Sequence, residues 1–302
     1  MQNNRHAYLV IAHHQPQLLK MLCMLLDHPN HDIFVHVQKE SEGFDFEDIA
    51  KATKYSKVVF TQRTTVRWGG YSLINCEFLL LKTAMKQGCY SYYHLVSGAD
   101  LPLKTADELY TFFENSGGKE FVDLQYGDDK WDAKMEKRIR YYYLLREKFN
   151  VKTGYAGVIE KKLVKLQAKL GVDRLKNLDK AIASGSQWFS ITHSLAKHVV
   201  DSEEWVKQHF GFCGCGDEMF LQMLTRDTQF EKNVHHQEKD GRSVSNMRYI
   251  DWKRGNPYVF TKEDFDLLLN SGCMFARKFD MEKHPEICHM IYRHLTDNRA
   301  EV

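Results

Sequence analysis

Long apolar runs are missing from this chain of 302 residues, and so is an excess of charge of either sign. No stretch of about 18 apolar residues occurs, so we expect no transmembrane helix. The first residues, MQNNRH, lead straight into a strand-like segment and resemble neither a signal peptide nor a membrane anchor. A formal net charge of +2 gives no reason to expect a nucleic-acid partner. These features predict a cytoplasmic protein.

Cysteine is present, but in a pattern that disfavours disulfides. The seven cysteines are spread over the chain without a dense framework, which indicates reduced thiols. Cys213 and Cys215 are separated by one residue, a weak zinc signal that His235 and His236 would have to complete. Ordinary buried thiols are the simpler interpretation, and we expect no metal.

The common phosphate-binding motifs are also missing. There is no Walker loop, and the turn after the first strand reads HHQP (13–16) where a dinucleotide-binding fold would have GxGxxG. No strand ends in an Asp-x-Asp pair that would hold a divalent ion on a diphosphate. If a nucleoside diphosphate leaves here, Arg or Lys must stabilise its charge. Arg277 and Lys278 are candidates, and a solvated surface turn is the alternative.

The first third of the chain alternates apolar runs with helix signals. Pro16 suits a first helical turn, Ser72 is a candidate cap for a helix to about Met85, and Thr105 opens a capping box. Helices between strands predict a mostly parallel sheet, which binds ligands beyond the carboxyl ends of its strands. The predicted strands of this part are AYLVIA (7–12), DIFVHV (32–37), SKVVFT (56–61) and YYHLV (92–96).

The last third returns to mixed α/β structure. A strand is predicted over 185–192 (GSQWFSIT), and a helix from Asp217 to Leu224. A second capping pattern precedes the helix predicted at 265–269.

Between about 127 and 180 the composition turns basic, with tyrosines between the charges. The stretch 158–170 (VIEKKLVKLQAKL) places Ile159, Leu163, Leu166 and Leu170 at helical spacing. One interpretation is a solvated helix that packs on the body of the protein. The other is a basic surface that contacts a membrane leaflet or an anionic, lipid-linked acceptor.

Three short motifs carry candidate chemistry. Asp217 and Glu218 follow two glycines directly before an apolar helix; such acids often serve only the helix dipole, but a general base needs a carboxylate at the mouth of a site. The segment WGGYS (68–72) is either a close approach to a nucleotide or a tight turn. Asp100, after the fourth strand, either binds a hydroxyl or caps its turn.

Taken in order, the segments resemble the core-2/I-branching β-1,6-N-acetylglucosaminyltransferase family, which includes peptide O-xylosyltransferases. The resemblance implies a GT-A-type fold, a Rossmann-like mixed α/β sheet flanked by helices. It also implies inverting, metal-independent transfer from a UDP-sugar to a glycan hydroxyl, with N-acetylglucosamine as the default sugar. The matching segments are AYLVIAHH (7–14), DIFVHV (32–37), WGGYS (68–72), HLVSGADLPLKT (94–105), GSQWFSIT (185–192), GDE (216–218) and FARKFD (275–280).

The same resemblance assigns roles to single residues. Glu218 falls on the catalytic base of the family, and Gln38 stands where the family often has Asp. The donor-side positions are His13, His14, Gln38, Trp68, Gly69, Gly70, Arg254, Arg277 and Lys278. The acceptor-side positions are Asp100, Arg138, Trp188 and Asp217.

We therefore expect a single GT-A-like catalytic domain over 1–302. Its parts are a nucleotide-binding half (1–125), a variable basic helical insertion (126–180) and an acceptor and catalytic half (181–302). The chain resembles the short bacterial members, which act on cell-surface polysaccharide or glycolipid. The expected partners are a UDP-sugar and a glycan or glycolipid acceptor, with no cofactor, and a peripheral contact of segment 134–170 with the inner face of the membrane. The alternatives are a non-catalytic nucleotide- or sugar-binding protein on the same fold and a membrane-surface adaptor.

Overall fold

A computed structural model describes residues 3–126, 129–149, 151–152, 155–239 and 242–297. Residues 127, 128, 150, 153 and 154 of the predicted basic insertion, and the first two residues of the chain, lie outside this described part.

Strands and helices alternate as far as β4, and the described residues also contain four short 3-10 turns. The strands are β1 (Asn3–Ala12), β2 (His31–Val37), β3 (Lys57–Phe60), β4 (Tyr90–Ser97), β5 (Asp100–Pro102), β6 (Ser190–Thr192), β7 (Glu238–Lys239), β8 (Arg242–Ser243), β9 (Arg248–Ile250) and β10 (Phe275–Arg277). The helices are α1 (Pro16–Leu25), α2 (Phe46–Ala50), α3 (Tyr71–Gln87), α4 (Ala106–Glu114), α5 (Asp129–Arg140), α6 (Tyr155–Lys169), α7 (His193–Asp201), α8 (Glu203–Phe210), α9 (Phe220–Thr225), α10 (Phe265–Leu269) and α11 (Pro285–Asp297).

The main sheet has the strand order β3-β2-β1-β4-β6. Its first four strands are parallel and β6 runs antiparallel to β4, so the expected Rossmann-like mixed α/β sheet flanked by helices is confirmed. Along β1, Leu9 and Ile11 pack into one apolar cluster while Tyr8 and Val10 pack into another. Alternate side chains therefore bury both faces of the sheet, which is why the strand reads as a continuous apolar run.

A second, smaller sheet has the order β5-β10-β9. It packs against α1 and α11 through a third apolar cluster that includes Leu101, Phe260 and Ile291. This sheet carries Arg277 at the carboxyl end of β10, opposite Asp100 at the start of β5.

Most local expectations for the first third are confirmed. Pro16 begins α1, and Thr105 makes a complete capping box with Glu108 at the start of α4. The prediction for Ser72 is wrong: Gly70 precedes the first residue of α3, and the Ser72 hydroxyl accepts a hydrogen bond from the Arg67 N–H inside the first turn.

Two elements of the last third are shorter than expected. Of the strand predicted over 185–192, only Ser190–Thr192 pairs with the main sheet. The predicted helix from Asp217 begins as a separate 3-10 turn, Gly216–Glu218, and α9 starts at Phe220. The second capping pattern is confirmed, because Thr261 and Asp264 bond reciprocally before α10.

Three buried histidines, His6, His31 and His94, form a cluster within the main sheet. His94 Nε2 lies 3.2 Å from His6 Nδ1, and the rings of His6 and His31 stack with centroids 5.4 Å apart. Burial holds the pKa values of His31 and His94 well below their usual range. These rings are therefore neutral in the folded protein at neutral pH.

Candidate active site

A cleft of about 1590 Å³ opens at the carboxyl edge of the main sheet. Ala12, Gln38 and Ser97 line it from the ends of β1, β2 and β4, and Arg277 and Lys278 line it from the end of β10. This is where ligands of open α/β sheets bind. The cleft brings together nine of the residues singled out from the sequence: His13, Gln38, Trp68, Arg138, Trp188, Asp217, Glu218, Arg277 and Lys278.

Glu218 presents a partly exposed carboxylate to this cleft. It ends the 3-10 turn Gly216–Glu218, and its side chain is 43% exposed. Arg138 Nη1 lies 2.7 Å from Glu218 Oε2 and reaches it from α5, so the basic insertion contributes to the site. A carboxylate with solvent access and one fixed cationic partner is held in place yet can accept a proton.

Asp217 lies beside Glu218 but points into the protein, where it is buried. Burial, followed by the charge of Glu218, raises the pKa of Asp217 to about 7. Burial and the nearby Asp217 raise the pKa of Glu77 well above its usual range. Asp217 is among the residues that line the cleft, and its buried Oδ1 has no hydrogen-bond partner among the described residues.

Gly185 explains how the backbone passes behind the two acids. Its N–H donates to the Glu218 carbonyl oxygen at 2.9 Å. A Cβ at this position would lie 1.7 Å from the Asp123 carbonyl oxygen, so only glycine fits. The chain then leads to Gln187, whose amide donates to Glu77 Oε1 at 2.9 Å.

Arg277 is held in one orientation by the turn after β4. Its Nη1 lies 2.7 Å from Asp100 Oδ1 and donates to Ser97 Oγ, while its guanidinium covers one face of the Trp188 ring at 4.5 Å. Asp100 also accepts from the Ser97 N–H and is almost fully buried, so it caps its turn and positions Arg277.

Lys278 adds a second cation directly after Arg277. Burial, and then the charge of Arg277, lower its pKa below the usual range. An ammonium group with too few anionic neighbours is stabilised when a phosphate-like anion enters. The pair therefore forms an anion-attracting wall of the cleft.

His13 lies at the end of β1 with its ring stacked on His14 at 4.1 Å. Burial lowers the pKa of His13 to about 4, so its ring is a neutral, flat surface in the lining of the cleft. The structure brings Gln38 into the same part of the cleft, whereas His14 is outside the set of lining residues.

The WGGYS segment divides between two roles. Trp68 lines the cleft, and Lys152 Nζ lies 4.0 Å above its ring. Gly69 and Gly70 are buried outside the lining, where added Cβ atoms would meet Arg146 Nη1 at 2.7 Å and Glu147 Oε1 at 2.4 Å. Their close approach is thus to the insertion, which favours the tight-turn interpretation.

Arg254 also lies outside the cleft lining. Its guanidinium bridges Asp251 at 2.6 Å and Asp264 at 2.7 Å, and it packs on the Tyr258 ring. Its predicted contact with the donor stays a prediction, but these ion pairs indicate a structural role. Its neighbour Lys253 lines the cleft instead.

Sequence reasoning missed one buried cation, Arg248. Its guanidinium donates to Ser190 Oγ at 2.8 Å and to the Phe189 carbonyl oxygen, and it lies 4.9 Å from the Phe275 ring. A lone arginine in a short strand carries no motif, so only the three-dimensional packing could reveal it.

The zinc alternative finds no support in the geometry. Within the described ranges, no group of three or more His, Cys, Asp or Glu side chains is arranged to hold a metal ion. Cys213 is a buried thiol and Cys215 accepts a contact from Arg146 Nη1 at 3.2 Å.

Comparison with known proteins gives a consistent family assignment. The sequence model of the Core-2/I-branching enzyme family matches residues 6–267. Xylosyltransferase 2 of Homo sapiens is 23% identical over 309 residues, which cover 96% of this chain and 34% of the relative. Xylosyltransferase 1 of Homo sapiens is 22% identical over 315 residues, covering 97% and 31%. The chain thus spans about a third of the length of these curated relatives.

Solved structures are more distant. Mouse xyloside xylosyltransferase 1 in its apo form has 11% sequence identity and a TM-score of 0.33, covering 89% of this chain and 96% of that one. Because the family model matches most of the chain, the protein belongs to the Core-2/I-branching enzyme family. Its mixed sheet flanked by helices agrees with the GT-A-type fold that the resemblance to this family implied.

Proposed function

We propose that the protein is an inverting glycosyltransferase that moves a sugar from a UDP-sugar to a glycan hydroxyl in polysaccharide or glycolipid synthesis. The observation that carries the proposal is one cleft that holds the Glu218 carboxylate together with the cations Arg277 and Lys278. A base and an anion-stabilising wall are the two things such a transfer requires.

The chemistry follows from these groups. Glu218 takes the proton of the acceptor hydroxyl, whose oxygen forms the new bond to the anomeric carbon. The bond from that carbon to the diphosphate oxygen breaks, and UDP leaves with the electron pair. Arg277 and Lys278 stabilise the negative charge that develops on the leaving group, so no divalent ion is needed for that step.

The first test is Glu218→Gln, which keeps the shape of the side chain and can still accept from Arg138. Because a general base contributes a factor of about 10² to 10⁴, we expect kcat to fall by roughly that factor while UDP affinity stays unchanged. Glu47→Gln, at an exposed carboxylate on α2, is the matched control. Transfer at the wild-type rate by the Glu218 variant would show that another group is the base.

The second test addresses the diphosphate wall. In EDTA, Lys278→Ala should weaken UDP binding by about 2 kcal/mol, roughly thirty-fold, because one charged contact is lost. Lys283→Ala is the control, since Lys283 is exposed and outside the cleft lining. UDP affinity that depends on a divalent ion and not on Lys278 would contradict the proposal.

The sugar is the finer part of the proposal. N-acetylglucosamine is the default of the family, and xylose is favoured by the names of the curated relatives. A panel of UDP-sugars without acceptor, scored by slow UDP release in EDTA, separates the two. The panel is then repeated with glycan acceptors present. If the protein binds UDP but releases none from any UDP-sugar under these conditions, a non-catalytic binding protein is favoured instead.

A further inference from the structure

The helix α6 packs on the protein through a different face from the one that its apolar spacing suggests. Glu160 and Val164 are its buried residues. In contrast, Ile159 is 49% exposed, Leu166 51% and Leu170, directly after the helix, 72%. The helix therefore does pack on the body, and Leu163 is half buried, but Ile159, Leu166 and Leu170 take no part in that packing.

The exposed apolar residues form one stripe. Tyr155, Ile159, Leu166 and Leu170 follow one another at intervals of four, seven and four residues, which places them on one side of a helix. Tyr155 at the start of the stripe is 88% exposed. Single exposed apolar residues are ordinary, but a continuous stripe on one helix face marks a binding surface.

The charges beside the stripe are all of one sign. Four lysines are exposed on α6, and two of them, Lys162 and Lys169, lie beside the stripe because each follows a stripe residue, Ile159 or Leu166, by three positions. Lys161 and Lys165 lie farther round the helix. The one acid in the sequence of this helix, Glu160, is buried and pairs with Arg146 at 3.1 Å. An apolar stripe bordered by lysines matches a bilayer surface, where the stripe enters the acyl boundary and the ammonium groups reach anionic headgroups.

We propose that the α6 face, defined by Tyr155, Ile159, Leu166 and Leu170 with Lys162 and Lys169 beside them, binds the surface of an anionic lipid membrane. A second copy of the chain fits this face less well, because pairing two α6 faces would bring lysines against lysines. Lipid phosphates supply the opposite charge. Among the described helices none is long and apolar enough to cross a bilayer, so this contact is peripheral.

A short chain of contacts connects α6 to the cleft. Glu160 holds Arg146, whose Nη1 reaches Cys215 Sγ at 3.2 Å, three residues before Glu218. Gln167 of α6 also exchanges two hydrogen bonds of 2.8 Å with the backbone of Tyr142. The α6 face is thus fixed relative to the catalytic turn, and a bound protein would present its cleft to acceptors held in the same membrane, a consequence that rests on the proposed function.

The test is co-sedimentation with vesicles of phosphatidylglycerol and phosphatidylcholine, compared with vesicles of phosphatidylcholine alone. We expect binding to the anionic vesicles that weakens as salt rises, because salt screens exposed charges. Leu166→Asp should reduce binding by more than about tenfold, since it places a charge in the acyl boundary. Lys162→Gln and Lys169→Gln should each reduce it about fivefold.

Leu267→Asp is the matched control, because Leu267 on α10 is also an exposed leucine, at 42% against 51% for Leu166. UDP release from a water-soluble donor, measured without vesicles, shows that each variant is folded and reports on the proposed function separately. Equal vesicle binding by wild type and Leu166→Asp, or no binding by either, would overturn the proposal. So would a lipid-free dimer that the Leu166 variant abolishes, since a second copy would then cover the face.

Discussion

Asp217 is expected to cost the folded protein stability at neutral pH, and Asp217→Asn should recover it. The carboxyl is buried, Oδ1 has no partner among the described residues, and burial raises its pKa to about 7 from the ordinary 3.8. In the unfolded chain the same group ionises near its ordinary pKa. At a pH between these two pKa values, the carboxyl is ionised in the unfolded state but still protonated in the folded state.

The sign and size follow from this difference. Below pH 3.8 both states hold the proton, and the group is neutral in its effect on stability. As pH rises from there to about 7, the free energy of unfolding falls, and above 7 the loss is constant. At about 1.36 kcal/mol for each pKa unit, the full loss is about 4 kcal/mol, of which roughly 2 to 3 kcal/mol develops between pH 5 and pH 8.

Urea unfolding of wild type and Asp217→Asn at pH 5, 6.5 and 8 measures the effect. The variant should gain stability relative to wild type as pH rises. Glu77→Gln should change stability in the same direction, because burial also raises the pKa of the Glu77 carboxyl. Glu47→Gln, at an exposed carboxylate, is the control. A stability difference that is constant across this pH range would refute the reasoning. Transfer activity of the Asn variant should fall, because Asp217 is a predicted acceptor contact.

Two further predictions concern groups remote from the proton transfer. Arg254→Ala should destabilise the protein by about 2 kcal/mol in urea unfolding, because it leaves the buried Asp251 and Asp264 carboxylates unpaired. UDP affinity should stay unchanged, and a selective loss of affinity would restore the donor-binding role. His94 should contribute to destabilisation of the protein by acid. Its pKa in the folded protein lies well below 6.5, so as pH falls below 6.5 the imidazole is protonated in the unfolded state and not in the folded state. At pH 5.5 this costs on the order of 1 kcal/mol, and His94→Gln should show a correspondingly shallower loss of stability between pH 7 and 5.5; an identical acid profile would contradict it.

The sequence predicted those parts of the fold in which local and tertiary preferences agree. The runs at 7–12 and 32–37 are buried on both sides of the sheet, so apolar composition alone located β1 and β2. The stretch 185–192 contains equally apolar residues, but Gly185 must pass close to the Asp123 carbonyl and Trp188 lies under Arg277. These contacts are set by distant segments, and only the last three residues join the sheet.

The candidate site was predictable where charge stands out from its surroundings. Glu218 and the pair Arg277-Lys278 lie next to apolar segments, and the structure brings them into one cleft. The partners of Arg254 could not be predicted, because Asp264 lies ten residues away in a different turn. Nor could the orientation of α6, since spacing identifies an apolar face without showing whether protein or solvent covers it.

The placement of the tryptophans gives the protein an optical consequence. Three of the five tryptophans, Trp68, Trp188 and Trp252, line the cleft. Two of them lie under cations, Trp68 beneath Lys152 and Trp188 beneath Arg277. A ligand that draws these cations toward its own charge changes the electric field at the indole rings, so the emission of the unlabelled protein becomes a direct readout of occupancy. Every titration described for UDP can therefore be followed by fluorescence alone, with Trp188→Phe as the variant that removes the signal from the Arg277 side.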